Sequence, residues 1–557
     1  MRRAGSGLVS LSFCFFFVLL TGCSEKQPQI DFIDPPIGNL GEILSIHGEN
    51  FGPEQNEFSY ITIAGAPPTG SSYIAWKDDL ITVRIPEFSS AGLIYVHRGS
   101  KRSNPALFTN KANMPEPVRR DEEGSIPRIS SIEPSSGAIG SLITIYGSNF
   151  GPSRESAGIE QNGSGNHAPG VWFSWDAEIP SGAPAEAVQQ NSVEVFDTDF
   201  GYEFWGEREI RVRIPDGAVS GNLEVRTSRN SSRPIFMEVT GKPGTKTFKD
   251  KRSYTLSYTV DIKAEEAELP NSLYLWIPKP ISSASQRNTT LLSRSMEPYV
   301  DNYRGISLYQ LTDLARGEGK HITLSYVTDV YTVESNVRYQ NIKQEMDSPI
   351  QSAYTLSSSL IPADNEKITA QAAAIVGRER NPYLKAKSIY EWIRKEVDFK
   401  TSVSSGGALE ALEEKQADSY SASLLFCSLA RAAEVPAIPV AGVLIDRNRA
   451  ASQHYWAEFW IDAFGWLPLD PALGAGAAPP DFNLREDYGA FYFGSMDNSR
   501  IAFSRGQINL SQMDPRGRIT ARQRNITFQN LWEEATGGLE SYSSLWSDIT
   551  IMGMYVQ

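Results

Sequence analysis

The side chains that usually bind metals are too dispersed in this sequence to form a site by local spacing. The five histidines have no close pair, and no stretch shows the spacing of zinc ligands. They are His47, His97, His167, His321 and His454. Three cysteines are too few for a disulfide framework. The sequence therefore predicts no metal and no cofactor, and any chemistry has to come from other residue types.

Three ordered stretches in the C-terminal half carry the most informative pattern. Residues 417–440 read ADSYSASLLFCSLARAAEVPAIPV, which predicts an apolar helix followed by a strand. HYWAEFWI follows at 454–461 and FGWLPLDPA at 464–472. The order of these motifs resembles the transglutaminase-like core found in bacteria, an α+β, papain-like fold. The resemblance covers roughly residues 250–557.

The resemblance assigns roles to three residues. His454 opens an H-x-W-x-E motif and takes the position of the catalytic base, and Asp470 in the G-W-x-x-x-D-P motif takes that of its orienting partner. Ser419 stands where the family has its nucleophilic cysteine. Two glycines of the family pattern are also replaced, by Ala417 and Glu434.

The replacement of sulfur by oxygen at residue 419 changes the expected chemistry. A thiol with a pKa of ~8.5 falls to ~3.5–7.5 at a helix N-terminus beside histidine, whereas a serine hydroxyl stays protonated and needs a base during attack. Asp418 adds a negative charge next to it. A purely structural alternative is that Asp418 and Ser419 form a helix N-cap. Cys427, ~12 Å further along the helix, is predicted to be a core residue.

The N-terminal half contains an internal repeat. Residues 33–53 read IDPPIGNLGEILSIHGENFGP, and residues 132–152 read IEPSSGAIGSLITIYGSNFGP. Alternating β-branched residues bounded by glycine and proline predict a sandwich of short strands. The pattern resembles IPT/TIG domains, which are immunoglobulin-like and usually act as spacers or contact surfaces. The second copy carries an insertion rich in Gly, Ser and Asn, and a Pro-rich, charged linker covers residues 111–127.

The first residues predict export and lipidation. Arg2 and Arg3 precede an apolar run from Leu8 to Leu20, too short to span a bilayer and typical of a secretory leader. Leu20-Thr21-Gly22-Cys23 resembles the lipobox of bacterial lipoproteins, which implies lipidation of Cys23 and a bacterial cell-envelope location. Ser24 favours the outer over the inner membrane. The lipid-anchored chain would contact the membrane, and a net charge of −14 argues against nucleic acid as a partner.

The predicted fold class is multidomain. We expect two immunoglobulin-like β-sandwiches, a further β-rich domain and an α+β transglutaminase-like, papain-like core. The predicted boundaries are 1–22 for the leader, 30–110 and 127–241 for the two IPT/TIG domains, 250–345 for the β-rich domain, and 346–557 for the transglutaminase-like domain with its C-terminal extension.

Three functions are compatible with this organisation. The first is a catalytically impaired protein that binds a peptide, protein or peptidoglycan-type ligand in the former active-site cleft. The second is a serine-dependent amidase, peptidase or acyltransferase that uses Ser419, His454 and Asp470. The third is a structural or adhesive protein that acts through its IPT/TIG domains. The loss of the thiol ranks the first ahead of the second.

Overall fold

The computed structural model describes residues 26–39, 41–86, 92–110, 126–154, 169–175, 191–227, 230–303, 305–342, 348–400, 406–522 and 524–556. The predicted leader, the lipobox and Cys23 lie outside these ranges. Residues 111–125 of the linker and residues 155–168 and 176–190 in the region of the predicted insertion also lie outside them. No helix within the described ranges has the length and apolar character needed to cross a membrane.

The first β-module is a sandwich of two sheets. One sheet contains, in spatial order, Gln29–Asp34, Ile43–Glu49, Leu80–Arg84 and Tyr73–Trp76. The other contains Ile37–Gly38, Ala106–Asn110, Gly92–Arg98 and Ser59–Ile63, with Lys101–Arg102 paired to Gly92–Arg98. The alternating apolar residues of both sheets meet in one buried cluster.

The second β-module repeats this plan, which confirms the predicted duplication. Its first sheet contains Arg128–Glu133, Leu142–Ser148, Glu209–Arg213 and Tyr202–Trp205. Its second contains Ser136–Gly137, Ile235–Val239, Ala218–Arg226, Gly170–Trp175 and Ser192–Glu194. The register is also repeated, since Ile46 pairs with Ile81 in one module and Ile145 with Ile210 in the other.

The β-rich domain is an eight-stranded sheet built around the long strand Gly244–Pro278. From Tyr254 to Ile262, apolar residues alternate with polar ones along this strand, and the apolar side chains are buried. The remaining strands are Gln286–Arg294, Val300–Tyr303, Ile306–Thr312, Gly319–Val337, Arg518–Thr520, Glu533–Trp546 and Thr550–Val556.

The C-terminal strands return to this earlier domain. Glu533–Trp546 and Thr550–Val556 both pair antiparallel with Gly244–Pro278. The extension that the sequence places with the transglutaminase-like domain therefore completes the sheet of the β-rich domain. Pairing between strands more than 250 residues apart leaves no local signal in the sequence.

The α+β core lies between these parts of the chain. Its helices are α1 (Pro349–Tyr354), α2 (Glu366–Val376), α3 (Pro382–Glu396), α4 (Ala408–Glu414), α5 (Ser419–Ala432), α6 (Pro471–Gly474) and α7 (Tyr488–Phe491). Its sheet has the spatial order Gly465–Leu469, Ala451–Ile461, Ala437–Ile445 and Arg500–Arg505. A short parallel pair, Asp398–Phe399 with Gln416–Ala417, precedes α5.

The two faces of the core sheet pack against different partners. Tyr455, Ala457 and Phe459 belong to the buried cluster that contains the apolar residues of α5. Trp456 and Trp460, which alternate with them, belong to a second cluster shared with the second β-module. Helix α5 therefore covers one face of this strand, and the second β-module covers the other.

Aromatic contacts fix the second β-module against its neighbours. The ring of Trp175 lies 5.0 Å from that of Phe248 and 4.9 Å from that of Tyr331, both in the β-rich domain. The ring of Phe200 lies 5.6 Å from that of Tyr354 in α1. This module thus packs closely on the rest of the molecule.

Candidate active site

Helix α5 begins at the candidate nucleophile position. Asp418 is the N-cap, and its Oδ1 accepts hydrogen bonds from the backbone N–H and the hydroxyl of Ser421, each at 2.9 Å. The hydroxyl of Ser421 in turn accepts from the backbone N–H of Asp418 at 3.1 Å. Ser419 is the half-buried first residue of the helix. The structural alternative is therefore correct for Asp418, whereas Ser419 does not cap the helix.

His454 and Asp470 form the hydrogen-bonded pair that the sequence predicts. Nε2 of His454, on the strand Ala451–Ile461, lies 2.7 Å from Oδ2 of Asp470. Both side chains are buried. Asp470 is also the N-cap of α6, where its Oδ1 accepts the backbone N–H of Leu473 at 2.9 Å. The strand Ala451–Ile461 and the helix cap of α6 thus hold the two side chains in place.

Arg500 is the second partner of Asp470. Its Nη1 donates to Oδ2 of Asp470 at 3.0 Å, and its Nη2 donates to Oδ2 of Asp497 at 2.9 Å. Burial alone raises the pKa of Asp470, but the charges and hydrogen bonds of His454 and Arg500 and the hydrogen bond from the Leu473 N–H lower it to about 2. Because an ionised carboxylate only accepts hydrogen bonds, His454 donates through Nε2. In the neutral ring, Nδ1 is then the nitrogen that carries no hydrogen.

Ser419 is not joined to this pair by a hydrogen bond. Two aromatic pairs contribute to the contact between helix α5 and the histidine strand: Phe426 with Phe459, and Tyr420 with Tyr455, which directly follow Ser419 and His454 in sequence. The second pair is the nearer one to the candidate site. Its rings lie 5.0 Å apart and nearly perpendicular. The structure therefore brings His454 and Asp470 together, and it places Ser419 on an element that packs against the same strand.

A second buried charge network includes Glu458, the last residue of the H-x-W-x-E motif. Nε of Arg505 donates to Oε2 of Glu458 at 2.8 Å, and Nη1 of Arg505 donates to Oδ1 of Asp199 at 2.7 Å. Asp199, a residue of the second β-module, also accepts the indole N–H of Trp466 at 3.1 Å. Burial raises the pKa of Asp199 and of Glu458, although Arg505 opposes both shifts.

A cavity of about 50 Å³ adjoins this network. The second β-module contributes Asp199 and Asp216 to its wall, the β-rich domain contributes Lys246, and the core contributes Trp456 and Arg500. Lys246 bridges two of these parts, because its Nζ lies 2.6 Å from Oδ1 of Asp216 and 2.7 Å from the carbonyl oxygen of Trp466. Most of the charged groups in the cavity wall are paired with each other. Arg500, which donates to Asp470, is part of this wall.

Gly465, in the last motif, is required by the same interface. Its φ is 95°, in the region that favours glycine. A Cβ at this position would lie 2.1 Å from Oδ1 of Asp216. The glycine therefore allows the second β-module to approach the core sheet.

The other motif residues have structural roles. Arg431 is buried at the end of α5, where Nε donates to the carbonyl oxygen of Ala437 at 2.9 Å and Nη1 to that of Leu356 at 2.7 Å. Glu434, at the position of the turn glycine, has a φ of 63°. Cys427 is fully buried in α5, and burial raises the pKa of its thiol to about 12. These findings confirm the prediction that Cys427 is a core residue.

Sequence reasoning missed two arginines near the site. Arg500 lies in SRIAFSRG, a stretch outside the motifs that assign roles to residues. Arg524 comes from the C-terminal segment and pairs with Asp418. Arg500 meets Asp470 across 30 residues and Arg524 meets Asp418 across 106, so only the folded chain reveals these two contacts. Within the described ranges, no group of three or more His, Cys, Asp or Glu residues is placed to hold a metal ion.

Two curated proteins are similar to parts of this chain. An uncharacterized protein of Haemophilus influenzae is 30% identical over 18% of this chain and 34% of its own length. A cyclomaltodextrin glucanotransferase of Paenibacillus macerans is 26% identical over 16% of this chain and 12% of its own length. The matched regions thus cover about a third or less of these relatives.

Two solved structures are similar over larger parts of the chain. A candidate cysteine protease of Cytophaga hutchinsonii has a TM-score of 0.35 at 14% identity, over 56% of this chain and 92% of the other. The periplasmic domain of TgpA from Pseudomonas aeruginosa has a TM-score of 0.25 at 12% identity, over 42% and 88%.

Family models match three stretches of the sequence. Residues 28–109 and 127–247 match the IPT/TIG domain. Residues 369–471, which include positions 419, 454 and 470, match the transglutaminase-like superfamily. The chain therefore contains two IPT/TIG domains and one transglutaminase-like domain that carries the candidate triad.

Proposed function

We propose that this protein is a cell-envelope lipoprotein whose transglutaminase-like domain binds a peptide or another amide-bearing envelope ligand without efficient turnover. The observation that carries the proposal is the state of Ser419. In the described part of the chain, its hydroxyl is not hydrogen-bonded to His454, so no base is in place to take its proton. A serine without such a base is a poor nucleophile.

The neighbouring groups suit binding. Ser419 and Nδ1 of His454 offer a hydroxyl and an acceptor nitrogen, which can pair with the N–H and C=O groups of an amide. The rigid pair of His454 with Asp470 fixes the orientation of the ring. A ligand bound beside the N-terminal end of helix α5 and the His454 ring would therefore meet preorganised polar groups.

The experiment compares the native chain with Ser419→Ala and Ser419→Cys. Binding of a synthetic peptidoglycan stem peptide is measured by calorimetry, and ammonia or amine release is measured in parallel. We expect the native protein to bind the peptide with no release above that of Ser419→Ala. Release that depends on Ser419 would overturn the proposal. The Ser419→Cys variant reports whether the rest of the site can support thiol chemistry.

A serine-dependent amidase, peptidase or acyltransferase is the second candidate. The specific observation in its favour is the chain of contacts from Arg500 through Asp470 to His454, which keeps the carboxylate ionised and Nδ1 available as a base. A fluorophosphonate probe should label Ser419 if this function is correct, and Ser419→Ala should abolish the label. Absence of labelling in the folded protein favours the first proposal.

Membrane attachment is proposed from the lipobox motif that ends at Cys23. Two or three acyl chains at an N-terminal cysteine anchor a protein by burying methylenes, each worth ~0.8 kcal/mol. We expect the full chain expressed in a bacterium to incorporate labelled palmitate and to fractionate with outer membranes. Cys23→Ser should lose both properties, and membrane association that survives this substitution would contradict the proposal.

A further inference from the structure

A short segment near the C-terminus lies against both candidate catalytic elements. The guanidinium of Arg524 pairs with Oδ2 of Asp418 at the start of α5. Its Nη2 donates to the carbonyl oxygen of Gly406 at 3.1 Å, and its charge lies 4.6 Å from the ring centre of Tyr420. The side chain of Arg524 thus joins the loop before α4 to the N-terminal end of α5, where Ser419 lies.

The same segment also contacts the histidine strand. The hydroxyl of Tyr455 donates to the carbonyl oxygen of Asn525 at 3.0 Å. The ring of Phe528 lies 5.9 Å from that of Tyr420 and 5.6 Å from that of Tyr455. Residues 524–528 therefore hold the neighbours of Ser419 and of His454 in one packed group.

The charge of Asp418 makes this contact chemically important. Its carboxylate is mostly buried and lies immediately before residue 419. The N–H groups at a helix N-terminus create a positive potential that favours an anion. The fixed negative charge of Asp418 partly cancels this potential at residue 419. Arg524 supplies the compensating charge from another part of the chain.

We propose that Arg524 is a positioning residue that keeps position 419 receptive to negative charge, whether on the residue itself or on a ligand carbonyl or carboxylate. Without Arg524, the uncompensated carboxylate of Asp418 would repel such charge. The proposal rests on the assignment of residue 419 as the nucleophile position in the proposed function, but it does not require turnover.

The pKa of a thiol placed at residue 419 reports the effect of these two charges directly. The ionisable groups near position 419 include Asp418 and Tyr420 on the helix side, His454 and Tyr455 on the strand, and Arg524 on the C-terminal segment. Lys400 also lies nearby, because its backbone N–H donates to the carbonyl oxygen of Ala417. In full-length Ser419→Cys protein, the rate of iodoacetamide alkylation is followed against pH, and the modified peptide is identified by mass spectrometry. The midpoint of this profile gives the pKa of the introduced thiol.

Substitutions of the two charges should move this midpoint in opposite directions. In the Ser419→Cys background, Arg524→Gln should raise the thiol pKa by about one unit, and Asp418→Asn should lower it by a similar amount. The double substitution should return it close to the starting value, and Arg524→Lys should retain most of the effect of the native charge. The matched control is Arg516→Gln, which changes an exposed arginine earlier in the C-terminal part of the chain and should leave the midpoint unchanged.

A purely structural contact gives a different result. If Arg524→Gln leaves the midpoint unchanged in a protein with native circular dichroism, the proposal is wrong. It is also wrong if Arg524→Gln and Asp418→Asn shift the midpoint in the same direction. Should Arg524→Gln fail to fold, the double variant and Asp418→Asn alone decide the question. Failure of the proposed function would instead appear as Ser419-dependent amide release, which this titration does not measure.

Discussion

Nε2 of His454 donates a hydrogen bond to Oδ2 of Asp470 over 2.7 Å, in a site where both side chains are buried. The same oxygen of Asp470 accepts from Arg500 at 3.0 Å. One carboxylate therefore orients the histidine and neutralises an arginine. This double use makes the pair a part of the structural core as well as a candidate catalytic unit.

Asp470→Asn should destabilise the protein in a pH-dependent manner. The pKa of Asp470 is about 2 in the folded chain and 3.8 in its ordinary state, so its ionisation contributes about 2 kcal/mol to stability at neutral pH. This contribution is present above pH ~4 and is lost as the pH falls toward ~2, because the folded-state pKa is the lower one. Urea unfolding at pH 7, 4 and 3 measures it.

The two proteins should approach each other in stability as the solution becomes acidic. Asp497, whose pKa is also lowered, is present in both proteins, so the difference between them isolates Asp470. A difference that stays constant from pH 7 to pH 3 would contradict the assigned shift.

Arg500→Met should cost more than Arg500→Lys. The methionine leaves Asp470 and Asp497 buried without their shared cation, and breaking such a buried pair typically costs about 3–5 kcal/mol. Lysine retains the charge, but one ammonium replaces a planar fork that reaches both carboxylates. We expect Arg500→Lys to fall between the native protein and Arg500→Met in urea unfolding. Equal stability of all three proteins would show that the bridge contributes nothing.

Glu434→Gly should stabilise the turn after α5. Glu434 adopts a φ of 63°, which costs a residue with a Cβ about 1 kcal/mol and costs glycine nothing. The gain is reduced because glycine also increases the freedom of the unfolded chain. We expect a rise of a few tenths to about 1 kcal/mol in the free energy of unfolding, measured at neutral pH. Glu434→Ala, which keeps the Cβ, is the control and should show no such rise.

Local patterns were sufficient to predict most elements of the fold. The repeat around Ile46 and Ile145 fixed the two sandwiches, since identical glycines and prolines recur at the same offsets. The pattern of residues 417–440 predicted a helix followed by a strand, which the structure shows as α5 and Ala437–Ile445. His454 and Asp470 were predicted because their motifs are short, ordered and close together in sequence.

Contacts between distant segments could not be predicted in this way. Arg524 meets Asp418 across 106 residues, and Arg505 meets Asp199 across 306. Nothing in the composition of either neighbourhood identifies its partner, because an arginine in a short stretch of sequence is equally compatible with solvent exposure. Arg524 and Arg505 therefore could be assigned their partners only from the folded structure.

Cys427 should be inert in the native protein. It is fully buried, and burial raises the pKa of its thiol to about 12, so almost no thiolate forms at neutral pH. We expect a thiol reagent such as Ellman's reagent to modify Cys427 only after unfolding. The Ser419→Cys variant should gain one thiol that reacts under native conditions. Rapid reaction of Cys427 in the native protein would show that helix α5 opens or that the residue is misplaced.

Substitutions in the charge network between the second IPT/TIG domain and the core should distinguish the contribution of its ion pairs from the cost of burying its carboxylates. Arg505→Met leaves Asp199 and Glu458 buried without their shared cation, so we expect the free energy of unfolding to fall by about 3–5 kcal/mol.

Asp199→Asn should cost less stability than Arg505→Met, because the amide oxygen still accepts the Trp466 N–H. Burial raises the pKa of Asp199, so its protonated form stabilises the fold and this stabilisation is lost as the pH rises above 3.8. The cost of Asp199→Asn should therefore be smaller at pH 7 than at pH 4. Urea unfolding at both values tests this, with Arg516→Met as the exposed control, and a cost that grows with pH would show that the ion pair outweighs burial.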